Sequence, residues 1–216
     1  MKVTRGFTLV EMALVLFILG LVLGGLISSW SDYRQARRQV ETREILQTVE
    51  QALVGYALLH RGALPAADTD GDGAADGTAG DGGVPWKTLG LAPALARDGW
   101  DQPLRYRVDA AFLTAPLPAP PDTTSGLMVE ELRPGKPRRL LTEANPNAPV
   151  FLLRSAGANG VGSGSEPDAA CSGNAAPGAV RFRVGLDAGC PNLDDLVRWY
   201  DRNRLLERLV WARVWP

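Results

Sequence analysis

The chain has 216 residues, of which 45% are hydrophobic and 22% charged, and its formal net charge at pH 7 is −1. This length suits one globular domain with appendages rather than two full hydrophobic cores. The near balance of acidic and basic residues leaves no electrostatic footprint for nucleic acid, so no nucleic-acid partner is predicted.

The N-terminal segment is a short basic leader followed by a long apolar run. Between Phe7 and Ile27 the only ionisable side chain is Glu11, and a helix of about 20 apolar residues crosses the hydrocarbon core of a bilayer. The run is longer than the apolar part of a secretory signal, and Leu26-Ile27-Ser28 is a poor cleavage site. The sequence therefore predicts a transmembrane helix over residues 7–27.

The orientation of this helix is not decided by flanking charges alone. Lys2 and Arg5 precede the run, and several arginines follow it among acidic residues. Because the leader carries no acid and both cysteines lie in the C-terminal part, we favour a cytoplasmic N-terminus and a periplasmic C-terminal domain.

Glu11 is the unusual residue of the apolar run. A carboxylate in a membrane helix costs about 3 kcal/mol at the helix centre and less near an end, so such a residue is by default functional and needs a partner. No cation inside the segment can supply that partner. The alternative is that Glu11, being near the helix end, extends to the lipid headgroups.

The stretch GFTLVEMALVLFILGLV, residues 6–22, resembles the processing and assembly segment of type IV prepilins and type II secretion pseudopilins. The resemblance implies that a prepilin peptidase cuts between Gly6 and Phe7, removes the leader peptide of residues 1–6 and methylates the new amine of Phe7. Glu11 then becomes the fifth residue of the mature chain and meets the α-amine of a neighbouring subunit. Loss of one member of such a dry ion pair costs about 3–5 kcal/mol.

The same resemblance implies partners and a location. The partners are prepilin peptidase, other pilin or pseudopilin subunits, an inner-membrane assembly platform and the lipid bilayer. The chain is expected first as a single-pass inner-membrane protein, and then in a periplasmic or extracellular filament of a type II secretion system or a type IV pilus. Glu11 favours an ordinary subunit, because the resemblance implies that tip-initiating subunits often lack this acid.

A helical pattern continues beyond the membrane run. Apolar and aromatic side chains and the one histidine recur at spacings of three, four or their multiples. They are Trp30, Tyr33, Val40, Leu46, Val49, Leu53, Tyr56 and His60. We predict one helix from Phe7 to His60, whose soluble half, residues 28–61, supports a globular pilin-like domain over residues 62–216. Gly20 and Gly24 are sites either of close helix packing or of local helix melting during assembly.

Residues 62–83 are predicted to form a loop rich in glycine and aspartate. Four aspartates occupy positions one, three, five and nine of a D-x-D-x-D-G pattern, namely Asp68, Asp70, Asp72 and Asp76. Alternating oxygen ligands of this kind suit calcium. The closing Glu of an EF-hand is absent, since position twelve is Ala79 and the nearest substitute is Asp81. A calcium site and a solvated acidic loop both remain open, and no other cofactor is required.

The region after this loop carries strand patterns separated by Pro, Gly and Asn. DGWDQPLRYRV resembles the sheet entry of major pseudopilins, and it predicts a turn over residues 98–103 with Trp100 and Tyr106 in the core. Strands are predicted over residues 104–108, 126–132, 139–142, 150–154 and 180–186, and a Pro-rich surface excursion over 116–122. The predicted fold class is α+β, a long N-terminal helix packed on a small antiparallel sheet with a C-terminal helical segment.

Cys171 and Cys190 are the two cysteines of the chain. Because the domain is expected in an oxidising compartment, we predict a disulfide between them, which would add about 3 kcal/mol of stability. Two free buried thiols are the alternative. A zinc site is disfavoured, since there is no CxxC and the sole histidine, His60, is distant in sequence.

Residues 191–216 predict one or two amphipathic helices, with Asn192 as an N-cap. Leu193, Leu196, Val197 and Tyr200 form one apolar face, and a second face contains Leu205, Leu206, Leu209, Val210 and Arg213. The phase changes near residues 201–203, so a kink or break is expected there. Trp211 and Trp215 either pack in the core, which we favour, or contact a partner.

Patterns typical of catalysis are not found in the sequence. A Ser-His-Asp arrangement would depend on His60, GVGSGS lacks the G-x-S-x-G elbow, and the nearby glycines are not followed by Gly-Lys-Ser or Gly-Lys-Thr. We therefore expect a filament subunit rather than an enzyme. The alternatives are a binding module at a filament tip with a calcium-stabilised loop, and a membrane-anchored periplasmic protein whose Gly6-Phe7 junction stays intact.

Overall fold

The computed structural model describes residues 8–114, 122–133, 137, 139–158, 160, 180–185 and 195–214; within these ranges, the side chains of residues 22–32, 132 and 180–185 are not described. The elements in chain order are α1 (Leu9–Leu59), β1 (Asp81–Gly83), β2 (Arg105–Val108), β3 (Leu127–Leu132), β4 (Arg139–Leu140), β5 (Pro149–Ser155), β6 (Val180–Gly185), β7 (Leu196–Asp201) and α2 (Arg202–Trp211). The chain divides into two compact units, Met1–Arg38 and Gln39–Pro216.

Helix α1 begins after Thr8 and ends at Leu59. It comprises 51 residues. Thr8 caps the start, because its Oγ1 accepts a hydrogen bond from the backbone N–H of Glu11 at 3.3 Å. At the end, Gly62, with a φ of 90°, donates its backbone N–H to the carbonyl of Ala57 at 2.7 Å, as in a Schellman motif. The single long helix predicted from the sequence is confirmed.

In the first unit, the described side chains of α1 are exposed. The large apolar residues between Leu9 and Leu21 have exposed fractions from 44% at Val15 to 88% at Leu9. A contiguous apolar surface of this kind marks an interaction site. Among residues whose side chains are described, which omit residues 22–32, no helix is long and apolar enough to cross a membrane.

In the second unit, one stripe of α1 packs on the main sheet. Its residues recur every three or four positions and are at most 2% exposed, namely Leu46, Val49, Leu53 and Ala57. They share one hydrophobic cluster with Tyr106 of β2 and with Phe151 and Leu153 of β5. Glu50 on the same part of α1 forms an ion pair with Arg198 of β7. The part of α1 within the second unit therefore supports the main sheet.

The described second unit contains two sheets. The main sheet is antiparallel, with strand order β1-β2-β5-β7. The second sheet has the order β4-β3-β6, in which β3 and β6 are parallel. Strand β5 is buried along its whole length, because Phe151 and Leu153 belong to the cluster with α1 while Leu152 joins Leu127 and Val129 of β3 in a second cluster.

The predicted α+β class is confirmed, with a long N-terminal helix, a small antiparallel sheet and a C-terminal helix; the transmembrane character predicted for the first half of that helix is not supported by the described residues. The five predicted strands agree with β2 to β6 to within two residues at each end. Strand β1, which has the sequence DGG, was not predicted, because it is defined by pairing with β2 rather than by its own residues. Tyr106 is fully buried as predicted, whereas Trp100 is half-buried.

The predicted helical face at Leu196, Val197 and Tyr200 is wrong. These residues lie in β7, which pairs antiparallel with β5. Side chains alternate along the strand: Leu196 and Tyr200 pack in the cluster with α1, while Val197 and Trp199 pack in the cluster under β3. Backbone pairing with a buried neighbour outweighs a helical pattern that is only two turns long.

The break predicted near residues 201–203 is confirmed, since α2 begins directly after β7. Leu205 and Leu209 of α2 are buried, whereas Val210 is 50% exposed. The favoured core position of Trp211 is wrong, because this side chain is 81% exposed. The predictions for 116–121, Cys171, Cys190, Asn192, Leu193 and Trp215 fall outside the described residues.

Candidate functional site

The N-terminal candidate site is described from Thr8 onwards, so Gly6 and Phe7 lie outside the described residues. Glu11 lies in the first turn of α1 and is exposed. Thr8 and Glu11 have the T-x-x-E spacing of a capping box, a signal that the sequence contained and that our prediction did not use. The carboxylate of Glu11 is therefore accessible to a partner outside the chain at the start of the helix.

The aspartate-rich loop brings three of its four predicted ligands together. Asp68, Asp70 and Asp76 each place a carboxylate oxygen within 4.8 Å of the others. Asp68 is buried, Asp70 exposed and Asp76 half-buried. Three carboxylates at this spacing concentrate negative charge, and carboxylate oxygens are the ligands that hard cations such as calcium prefer.

The loop backbone wraps around the buried Asp68. Its Oδ1 accepts a hydrogen bond from the N–H of Gly71 at 2.7 Å, and its Oδ2 accepts one from the N–H of Gly73 at 2.9 Å. Both glycines have positive φ angles, 84° and 87°, which side-chain-bearing residues rarely adopt. The glycines of the pattern thus allow the tight bend that places the carboxylates together.

Asp76 is ionised with help from Thr69. Its Oδ2 accepts hydrogen bonds from the backbone N–H and the hydroxyl of Thr69, at 2.6 and 2.7 Å. These bonds, the side-chain bond first, lower the pKa of Asp76 below its ordinary value, because they favour the carboxylate over the acid. Asp76 therefore adds a full negative charge to the cluster at neutral pH.

Asp72 is outside the cluster, although the pattern predicts it as a ligand. Its Oδ2 lies 3.4 Å from Nζ of Lys87, and its Oδ1 accepts a hydrogen bond from the N–H of Ala74 at 2.6 Å. Asp81, the nearest substitute for the closing Glu, instead pairs with Arg105 and Arg107 at 3.2 and 3.1 Å. The side-chain donors brought together are thus three carboxylates.

The loop is fastened to the segment that follows β1. The carbonyl of Gly73 accepts the N–H of Lys87 at 2.8 Å, and Oγ1 of Thr88 accepts the N–H of Ala75 at 2.9 Å. The Trp86 ring lies against Gly73 so closely that a Cβ there would overlap it. Trp86 is therefore a natural reporter of the conformation of the loop.

The chain matches the protein-family model described as "Prokaryotic N-terminal methylation motif". Residues 1–27 carry this motif. It is the prepilin-type signature of type IV pilins and pseudopilins, so the resemblance seen at residues 6–22 is confirmed. The methylation motif covers 27 of 216 residues. No curated protein and no solved structure matches the chain.

The methylation motif implies processing by prepilin peptidase and assembly with other pilin subunits. It is a signature of structural pilins rather than of enzymes. It also implies association with a membrane before assembly into a filament. These properties are implied by the N-terminal segment alone.

A groove on α2 is the surface that sequence reasoning missed. It has a volume of about 310 Å³ and is lined by Tyr200, Arg204, Glu207, Arg208 and Trp211. The favoured prediction placed Trp211 in the core, because an apolar stripe usually faces one. The sequence did contain a signal for this surface. Arg204, Arg208 and Trp211 are spaced i, i+4 and i+7, which places them on the same face of a helix.

Proposed function

We propose that this chain is a structural subunit, a pseudopilin or minor pilin, of a type II secretion or type IV pilus filament. Prepilin peptidase removes residues 1–6 and methylates Phe7. Before assembly, residues 7–27 anchor the subunit in the inner membrane as a single span, with the second unit in the periplasm. The assembly platform then transfers the subunit from the bilayer to the filament.

The observation that carries the proposal is the methylation motif at the start of one continuous 51-residue helix. The exposed apolar side chains between Leu9 and Leu21 need a cover, which lipid supplies first and neighbouring subunits supply later. In a monomer in water, these side chains would promote aggregation.

Glu11 is proposed to select the position of each incoming subunit. Its carboxylate is exposed in the first turn of α1, and cleavage creates an α-amine with an ordinary pKa of about 8. An amine and a carboxylate from adjacent helices form a pair that is strong where water is excluded. The capping hydrogen bond is compatible with this role, because it joins Thr8 Oγ1 to the backbone N–H of Glu11 and does not involve the Glu11 carboxylate.

The first experiment is the intact mass and N-terminal sequence of the chain from native membranes. The proposal expects a chain that begins at methylated Phe7, and expects Gly6→Val to remain uncleaved. Thr4→Val, a similar substitution within the leader, is the control and should be processed normally. A wild-type chain that begins at Met1, or that is cut near Ser28, would contradict the filament role.

A second proposal concerns the aspartate-rich loop, for which the three converging carboxylates are the favouring observation. We propose that the loop binds calcium through Asp68, Asp70 and Asp76. The bound ion would fix a surface loop that a subunit at a filament tip could use to contact a ligand or surface. This tip-binding role is the alternative to an ordinary filament position.

Calcium binding is tested by titration calorimetry on the purified full chain in detergent, with Trp86 emission as a second readout. Asp70→Asn should abolish binding, because it removes a charge from the cluster. Asp72→Asn is the matched control: it removes a charge from the same loop but outside the cluster, and it should retain binding. Absence of calcium binding by the wild type, or equal loss in both variants, would contradict the site.

A further inference from the structure

The groove on α2 is built on a rigid base. Leu205 and Leu209 on the inner side of α2 are buried, with no measurable exposure. The guanidinium of Arg204 lies 4.6 Å from the ring centroid of Tyr200, and Tyr200 stacks on Phe151 of the core at 5.5 Å between ring centroids. Arg204 is therefore held in position by the core while its charge remains at the surface.

The outer face of α2 carries charges of both signs, with an excess of positive charge. Arg204 and Arg208 are like charges one turn apart, an arrangement that costs an isolated helix about 0.2–0.5 kcal/mol. Glu207 also lines the groove, so the groove presents two positive groups and one negative group. Trp211, 81% exposed, adds a large apolar surface at one end.

The surface beside the aspartate-rich loop has an excess of negative charge. Asp70 and Asp72 are exposed, and Lys87 lies beside Asp72 at 3.4 Å with both side chains about half exposed. A pair this exposed contributes little to stability, so either member can exchange its partner. The Lys87 ammonium also lies 5.3 Å from the ring centroid of Trp86, which places an aromatic group next to the charges.

We propose that the α2 groove of one copy binds the Asp70, Asp72 and Lys87 surface of a second copy. Arg208 meets Asp72 and Glu207 meets Lys87, while Arg204 adds positive charge opposite the acidic loop. The net charges of the two surfaces are opposite, which favours this pairing over contact between two like surfaces. This inference rests on the proposed filament role, since it names a contact between neighbouring subunits.

A contact between two different patches repeats from copy to copy. Such a heterologous contact does not close on itself unless the rotation forms a ring, so it propagates along a filament. The groove is lined by five residues, far fewer than a stable pairwise interface of about 1,600 Å² requires. It therefore contributes through many linked copies rather than as an isolated dimer.

The experiment places a photo-crosslinker, p-benzoylphenylalanine, at position 211 of the full chain in native membranes. Irradiation should give a dimer whose crosslink maps by mass spectrometry to residues 69–75 or 86–88 of the second copy. Arg208→Glu and Asp72→Lys should each reduce that crosslink at least five-fold. Combining both changes in one chain should restore at least half of it, because the ion pair is rebuilt with reversed polarity.

Arg139→Glu, a charge reversal at an exposed arginine of β4, is the matched control and should leave the crosslink unchanged. The N-terminal sequence of the same samples separates the two proposals. A chain starting at Met1 overturns the filament role. A chain starting at Phe7 that gives no crosslink at position 211, or a crosslink to another protein or another surface, overturns the groove contact alone. Loss without restoration in the combined variant also overturns it.

Discussion

Substitution of Gly73 tests whether the aspartate-rich loop depends on its contact with Trp86. Gly73 has a φ of 87°, and a Cβ at this position would overlap the Trp86 indole. Gly71 in the same loop has a φ of 84°, but no atom lies within 4 Å of the corresponding Cβ position. Gly73→Ala and Gly71→Ala therefore share the backbone strain and differ in the steric clash.

The expected losses of stability follow from the backbone strain and the steric clash. An L-residue in the left-handed region costs about 1–2 kcal/mol, which both variants carry. Overpacking adds about 1–3 kcal/mol for Gly73→Ala, so its total loss is about 2–5 kcal/mol. A chain of this size loses about 2–4 °C in Tm per kcal/mol, so the Tm of Gly73→Ala should fall further than that of Gly71→Ala by several degrees.

The assay is thermal unfolding of the purified full chain in detergent, followed by tryptophan emission and near-ultraviolet circular dichroism. Trp86→Ala removes the ring that would clash with Ala at position 73. Adding Gly73→Ala to the Trp86→Ala variant should therefore lower its Tm only as much as Gly71→Ala lowers the Tm of the wild type. Equal Tm losses in the two single variants would refute the argument that Trp86 clamps the loop.

Three further predictions concern assembly, stability and pH. Glu11→Ala should leave cleavage before Phe7 intact and reduce filament incorporation at least ten-fold, measured in sheared filament fractions. Leu53→Ala should destabilise the second unit by about 2–5 kcal/mol in denaturant unfolding, because it opens a cavity between helix and sheet. Asp201→Asn should raise the Tm at pH 7 and have no effect at pH 3, since burial raises the pKa of Asp201 and makes its ionised form unfavourable in the fold.

The sign of the Asp201 effect follows from linkage. A carboxyl whose folded pKa lies above its unfolded value, about 3.9, contributes stability below that value and loses it as the pH rises through the folded pKa. Glu143 raises the pKa further, while Arg204 opposes the shift. A Tm of Asp201→Asn below that of the wild type at pH 7 would contradict the raised pKa of Asp201. Normal filament incorporation of Glu11→Ala would contradict the assembly role of Glu11. An unchanged free energy of unfolding for Leu53→Ala would contradict the packing role of Leu53.

The candidate sites differ in how far the sequence predicted them. The methylation segment could be identified from residues alone, because its chemistry depends on order and spacing along one helix. The D-x-D-x-D-G pattern identified the loop, but it could not exclude Asp72, whose carboxylate pairs with Lys87 from fifteen residues further along. The predicted pairing of Cys171 with Cys190 stays a prediction.

The sequence by itself determined the long helix, the class of the N-terminal segment and the positions of β2 to β6, because these follow from local periodicity and short motifs. Only the tertiary structure decided that residues 196–201 form a strand, that β3 and β6 run parallel, and that Trp211 is exposed. Each of these depends on which distant backbone or side chain is adjacent. A helix of two turns near Tyr200 would be only marginally stable, so pairing of this segment with the fully buried β5 is favoured instead.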